Sequence, residues 1–291
     1  RQGLPVFLRG DSQRATDRPL ITRALKYPLY RALLTSVDGH LAVGQSNRQY
    51  LEHYGVNPRR IWFVPHCVDD RWFAQRADAA RSSGAVGELR RHLRLDDEER
   101  VVLFVGRLVD QKRALDFVEA IGAVRRTERL AGVVVGSGPL AGALEARSRE
   151  LGAGVRFAGF VNQSALPAYY AAARLLVLPS DSRETWGLVA NEALSCGTPI
   201  VVSDHAGCAA DLVTSHTGRA YPCGNVGTLA SAILEVDHLR RAAPAEVSTA
   251  VETVSRRYGV EAAADAAAAA LEAAVTRASR STLPMPQSIR S

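Results

Sequence analysis

Short apolar runs alternate with amphipathic stretches along most of the chain. Val101–Gly106 (VVLFVG), Gly132–Gly136 (GVVVG), Val155–Phe160 (VRFAGF), Arg174–Ser180 (RLLVLPS) and Thr198–Asp204 (TPIVVSD) each run five to seven residues. That is strand length, too short for a buried helix. Between them, helical spacing predicts helices over 114–126, Pro139–Leu151 and Leu166–Ala173. Another should start near Gly187 and stop at Cys196–Gly197, where glycine supplies a left-handed cap. A short helix near Ala209–Val213, the piece GRAYP and a helix over Thr228–His238 follow. Repeated strand–helix alternation is the mark of a doubly wound parallel sheet.

The front of the chain carries a shorter version of the same rhythm. Pro5–Gly10 (PVFLRG), HLAVG and Ile61–Pro65 (IWFVP) read as strands, with helices over Arg23–Val37 and Ser46–Tyr54 between them. The fold class expected is therefore α/β, with two Rossmann-like doubly wound domains, the first one partial, and a cleft between them. Arg76–Gly87 is rich in Ala, Arg, Ser and Gly and reads as a linker, which puts the boundary near Trp72–Gly87. The expected division is 1–75, a connecting stretch 76–100, a second domain 101–258, and a C-terminal helix and tail 259–291. The alanine-rich Val260–Val275 carries Glu261, Asp265 and Glu272, so it reads as a surface-docked helix returning toward the first domain. The chain starts at Arg1 rather than methionine, from which a missing N-terminal part is expected.

Composition narrows the picture only in places. At 291 residues and 47% apolar, the chain can build one large or two ordinary cores. No run is long and apolar enough to span a bilayer. Four cysteines (Cys67, Cys196, Cys208, Cys223) form no close pair, and with His205 and His216 they match no common zinc spacing. Free thiols in a reducing cytoplasm are expected, and no metal. The net charge of +6 is concentrated at the front, where residues 1–31 hold seven Arg or Lys against two Asp. Such a patch suits anionic lipid or an acidic substrate, or is a solvated face. Aromatics are not interleaved with it, so nucleic acid has little support. Only Lys26 and Lys112 among 36 basic residues are lysine. A lysine kept in an arginine-writing chain points to a need for a compact ammonium.

Candidate chemistry gathers at strand ends. Glu184 stands in the loop after the RLLVLPS strand, and Glu192 lies inside the next helix. In an open parallel sheet the carboxyl edge is where ligands bind. Two carboxylates that accept from hydroxyls, beside a helix N-terminus that favours phosphate, suit a nucleoside-diphosphate sugar. The loop Gly106–Lys112 (GRLVDQK) places Arg107 and Lys112 at the same edge, able to neutralise a departing diphosphate without Mg²⁺. An exposed basic loop would look the same. Gly136–Ala141 (GSGPLA) fits the dinucleotide fingerprint formally. It follows the wrong strand and lacks the ribose-holding acid, so it reads as a phosphate-side or structural turn.

Taken in order, GRLVDQK, VVVGSGPL, VRFAGFV, LPSDSRETWGLVANEALSCGTPIVVSD and GCAADLV resemble the family 4 glycosyltransferases, retaining enzymes of the two-domain B-type fold. The resemblance runs from Pro5 to about Ala273. It implies that Arg107 and Lys112 hold the donor diphosphate, that Glu184 contacts the donor sugar, and that Glu192 binds ribose hydroxyls. It also implies phosphate contacts from the amides of Gly187, Leu188 and Val189 and a base bordered by Phe160 and Val161. Gly106, a glycine at a strand end, lets backbone approach a ligand closely. Arg107, Lys112 and Glu184 are the catalytic candidates. Residues 1–75 would form the acceptor side and 101–258 the nucleotide-sugar domain.

Three departures stand out. Arg113 occupies a place that is often glycine, and Trp186 one that is commonly phenylalanine. Gly10, Asp11 and Ser12 stand where a catalytic histidine often follows the first strand. Asp11 then either orients the acceptor or caps a turn. The expectation is a hexosyltransferase working on a UDP- or GDP-type donor with retention of configuration. Its acceptor would be a glycan or lipid-linked sugar, as in cell-envelope polysaccharide assembly, and it would use no cofactor. It would be cytoplasmic or peripheral at the inner membrane face. The alternatives are a sugar-nucleotide epimerase on the same fold and a donor-binding module without turnover.

Overall fold

The computed structural model describes residues 5–14 and 20–281, with side chains undescribed at 20, 22, 23 and 277–281. Its residues divide into two compact units. One holds the described residues up to Pro65 and the C-terminal helix from Glu261, the other His66–Val260.

The first unit is a three-stranded parallel sheet of β1 (Phe7–Gly10), β2 (Gly39–Ala42) and β3 (Ile61–Phe63), in that order. Helices α1 (Leu20–Thr35) and α2 (Gln45–His53) make the crossovers. Its small core joins Leu34, Ala42, Leu51 and Val56. On the other side of α1 the residues Ile21, Leu25, Leu29 and Leu33 recur every fourth position and all stay exposed. That is an apolar ridge, since positions four apart stack on one helix face.

The second unit begins with two helices, α3 (Asp70–Ser82) and α4 (Ala85–His92). The linker expected over Arg76–Gly87 is thus mostly helical, and the units divide at Pro65/His66 rather than within Trp72–Gly87. Alanine and arginine are strong helix formers, and Asp69 caps α3 by accepting from the Trp72 amide at 2.9 Å. Phe73, Ala77 and Ala80 then form a buried face at helical spacing. Weighing Ser and Gly by composition hid that face.

A six-stranded parallel sheet follows. Its strands are β4 (Arg100–Val105), β5 (Leu130–Val135), β6 (Arg156–Gly159), β7 (Ala173–Leu178), β8 (Ile200–Ser203) and β9 (Gly218–Tyr221). They are ordered β6-β5-β4-β7-β8-β9. Helices α5 (Ala114–Val124), α6 (Ala141–Glu150), α7 (Leu166–Ala172), α8 (Leu188–Ser195), α9 (Ala209–Leu212) and α10 (Val226–Ala242) connect and flank them, and α11 (Pro244–Arg257) and α12 (Val260–Ser281) follow. Every residue of β5 and β8 is buried, as expected for a parallel sheet covered on both faces. The GRAYP piece proves to be the edge strand β9, and α11, unanticipated, presents Val247 and Val251 to the core.

The order fixes where a ligand can sit. Building from β4 the chain adds strands to one side, then crosses back to lay β7 on the other, so β4 and β7 are neighbours with diverging loops. That switch point opens a crevice at the carboxyl ends of both strands.

Candidate functional site

The loops leaving β4 and β7 are bonded to each other. The Asp181 amide donates to the Gln111 carbonyl at 2.9 Å. Through that contact Lys112, at the end of a 3-10 turn (Asp110–Lys112), meets Glu184: its ammonium donates to Glu184 Oε2. The Ser180 hydroxyl donates to the same oxygen at 3.0 Å. The two charged side chains are only 18% and 14% exposed. An ion pair so withdrawn from water is held strongly only while both partners remain.

Glycine makes this corner possible. Gly187 has φ of 106°, and a Cβ there would lie 2.4 Å from Leu178 Cδ2. The chain can therefore turn sharply from Glu184 into α8 with its first amides, those of Leu188 and Val189, at the edge of the crevice. Those amides have no acceptor inside the helix, which suits an anion. Leu188 is exposed and Val189 half-buried. The 184–187 loop is stitched down by Gly207, whose amide donates to the Glu184 carbonyl at 3.1 Å.

The GSGPLA turn acts as a strut. Gly136 sits so near Gly106 that a Cβ would come within 1.9 Å of the Gly106 carbonyl oxygen. The Leu108 amide donates to Ser137 at 2.9 Å, and the Leu140 amide donates back to Leu108 at 3.1 Å. Of its two expected roles, the geometry supports the structural one: it sets the path of the Gly106–Lys112 loop. Arg107, near the start of that loop, is exposed, and its carbonyl accepts from the Val109 amide at 3.0 Å, while its guanidinium makes no hydrogen bond or ion pair among the described residues. The two cations are thus in one loop but in different states, one paired and one solvated.

Glu192 lies a little over one turn into α8 and is 7% exposed. The Tyr170 hydroxyl donates to its Oε2 at 2.7 Å, and Gln163 Nε2 reaches its Oε1 at 3.4 Å. Burial pushes the Glu192 carboxyl up from its ordinary value, and the two donated bonds pull it back. Gln163 belongs to the loop that follows β6, which also carries the exposed Phe160 and the half-buried Val161. One crevice edge therefore collects Gly106, Arg107, Lys112, Glu184 and the start of α8. Its flank collects Glu192 with the Phe160–Gln163 loop.

Two of the three departures, Arg113 and Trp186, have local explanations. Arg113 adopts a left-handed conformation with φ of 48°, which glycine would take without strain. Its guanidinium grips the buried Asp116 through two bonds of 2.7 and 3.1 Å. Trp186 adds a buried N–H that phenylalanine lacks, and this donates to Asn191 Oδ1 at 2.8 Å. Tyr170, Gln163, Ser180 and Asn191 were not anticipated as site residues. Each is a polar atom in an apolar or loop context, and only the three-dimensional partner marks it. Among the described residues no cluster of three His, Cys, Asp or Glu side chains is arranged to hold a metal.

The family model of the group 1 glycosyl transferases matches residues 86–248, more than half of the chain. The chain belongs to that family. Among curated relatives, the D-inositol 3-phosphate glycosyltransferase of Geodermatophilus obscurus is 36% identical over 170 residues, covering 54% of this chain and 35% of its own length. The Mycobacterium bovis protein of the same name is 35% identical over 204 residues, covering 67% and 39%. An uncharacterised glycosyltransferase of Methanocaldococcus jannaschii is 38% identical over 120 residues, covering 40% and 30%. The chain thus spans less than half the length of these relatives. Among solved structures, Anabaena HepE in complex with UDP aligns with a TM-score of 0.73 at 18% identity, over 92% of this chain and 72% of its own. The α,α-trehalose 6-phosphate synthase of Burkholderia multivorans aligns at 0.75 and 16% identity, over 98% and 68%. These likenesses establish the two-domain glycosyltransferase fold.

The corner at Gly187 gives a direct test. Gly187→Ala forces a Cβ into Leu178 and strains the backbone, so denaturant unfolding should show a loss of about 1–3 kcal/mol. An unchanged midpoint would show that the turn does not need glycine.

Proposed function

We propose that the chain is a retaining hexosyltransferase of family 4 that takes its sugar from a nucleoside-diphosphate donor of the UDP or GDP type. The observation that carries this is the Lys112–Glu184 pair at the switch point, with Arg107 solvated beside it and the α8 amides across from it. The pair holds a cation where a diphosphate would lie and a carboxylate where the sugar hydroxyls would lie. HepE, solved with UDP and with UDP-glucose, has the same fold, which favours this class of donor.

In this reading Arg107 and Lys112 take the diphosphate, joined by the amides of Gly187, Leu188 and Val189. Glu192 accepts from the ribose hydroxyls, and Phe160 and Val161 border the base. Donor binding draws Lys112 onto phosphate and releases Glu184 to the sugar. The acceptor oxygen then bonds to the anomeric carbon as the bond to the diphosphate breaks. The electron pair leaves with the diphosphate, and the acceptor proton goes to one of its oxygens. Glu184, turned to the sugar hydroxyls and still bonded by Ser180, acts as an acceptor rather than as a nucleophile, which favours attack from the face the diphosphate leaves. The negative charge that develops on the leaving group is stabilised by Arg107 and Lys112.

The acceptor is a hydroxyl on a glycan or lipid-linked sugar, as in building envelope polysaccharide. A peripheral contact with anionic lipid is supported by the α1 ridge. Ile21, Leu25, Leu29 and Leu33 are exposed, the described part of α1 carries no acidic side chain, and Lys26 flanks the ridge. Apolar burial plus basic flanks is the pattern of an interfacial helix. Flotation with phosphatidylglycerol vesicles should carry the chain, and Leu25→Glu with Leu29→Glu should release it. Equal recovery with neutral phosphatidylcholine vesicles would contradict the contact.

Calorimetric titration with free UDP and GDP tests the donor site. Lys112→Ala and Arg107→Ala should each weaken binding by about 1.5–3 kcal/mol, the loss of one charge-assisted contact. Glu184→Gln should leave free nucleotide affinity equal or slightly tighter, because it frees Lys112, and should instead suppress sugar transfer. Glu192→Ala should weaken nucleotide binding itself. Wild-type affinity in both cation variants would overturn the assignment.

A further inference from the structure

The second unit buries one polar pair that packing alone does not require. Tyr170, on α7, is 0% exposed, and its ring stands against Phe73 at 6.4 Å between centroids. Phenylalanine would fill that space equally well. The hydroxyl instead donates to Glu192 Oε2 at 2.7 Å, inside the protein, where an unpaired phenol and an unpaired carboxylate would each be costly. The geometry points to Tyr170 as the positioning residue of the nucleotide site, holding Glu192 as an oriented anion that presents Oε1 to the ribose. This rests on the assignment of Glu192 to the ribose made above.

Both oxygens are accounted for. Oε2 is occupied by a short bond from a fully buried side chain, whose own carbonyl accepts from Thr198 Oγ1 at 2.8 Å. Among the described residues Oε1 has only the long 3.4 Å contact from Gln163, and so keeps acceptor capacity for a ligand hydroxyl. A ribose hydroxyl donates best to an ionised carboxylate. Burial works against that form, whereas the Tyr170 and Gln163 bonds support it. Cys196, the residue that caps α8, interacts with both Tyr170 and Glu192, and Asp78 and Arg81 on α3 act on that thiol. Arg81 is engaged by Asp78 at 2.9 Å and by the Cys196 carbonyl, so Tyr170 is the group whose removal acts on Glu192 directly.

The sign of the effect follows. Losing the Tyr170 bond removes a contact that holds the Glu192 carboxyl down, so its ionised form is less favoured as pH falls. Nucleotide affinity should then fall in Tyr170→Phe, and fall more as pH drops. The phosphate titration of the nucleotide is common to both proteins and cancels in their ratio.

The experiment is calorimetry with UDP and with GDP at pH 6, 7 and 8, on wild type, Tyr170→Phe, Glu192→Gln and the double variant. Tyr170→Phe should bind about tenfold more weakly at pH 7, with the ratio to wild type widening at pH 6 and narrowing at pH 8. In the Glu192→Gln background the same change should have little further effect, because Tyr170 acts through the carboxylate. A loss that is equal at every pH and adds fully in the double variant would reduce Tyr170 to a packing role and overturn the proposal. If Glu192→Gln weakens binding but Tyr170→Phe matches wild type throughout, the positioning role alone fails. If Glu192→Gln itself leaves affinity unchanged, the ribose assignment falls with it.

Discussion

The site depends on one constraint, the adjacency of β4 and β7. Two strands far apart in sequence pair in register, Val102 against Leu175 and Leu103 against Leu176, and their loops must then share a few ångströms of sheet edge. Lys112 and Glu184 meet because of that pairing and of the amide bond between Asp181 and Gln111. The rest is support. Gly136 lets the β5 turn close on Gly106, Gly187 turns the chain into α8, and Gly207 ties the second loop down. Displacing either strand would separate the cation from the carboxylate.

On the proposed function, the withdrawn ion pair keeps the donor site ordered before substrate arrives. Lysine suits the place because its ammonium on a flexible stem can exchange one anionic partner for another. Arg107, solvated, contributes charge without needing release. Glu192 follows a different logic: it is anchored from below by a buried tyrosine and held in place, while Glu184 is held by a partner that the ligand can take away.

Much of this was legible in the residues. The strand–helix alternation from Val101 onward placed every strand of the second unit but β9, because buried parallel strands are short unbroken apolar runs. The pairing of Lys112 with Glu184 was not legible, since no pattern shows which loops a sheet order brings together. Tyr170 was hidden for a similar reason: within an apolar helix face its hydroxyl looks incidental until Glu192 is found beside it. The stretch Arg76–Gly87 has a linker-like composition that masks the helical periodicity of Phe73, Ala77 and Ala80. Arg113 is the reverse case, where a departure from glycine found its reason in a left-handed turn clamped by Asp116.

The central claim is that a nucleoside-diphosphate sugar opens the Lys112–Glu184 pair and takes one partner on each side. A crystal structure of the chain soaked with UDP-glucose tests it most directly. The account predicts the diphosphate against Arg107, Lys112 and the start of α8, the ribose on Glu192, and Glu184 turned to the sugar. A nucleotide bound away from these residues, or bound beside an intact Lys112–Glu184 pair, would contradict it.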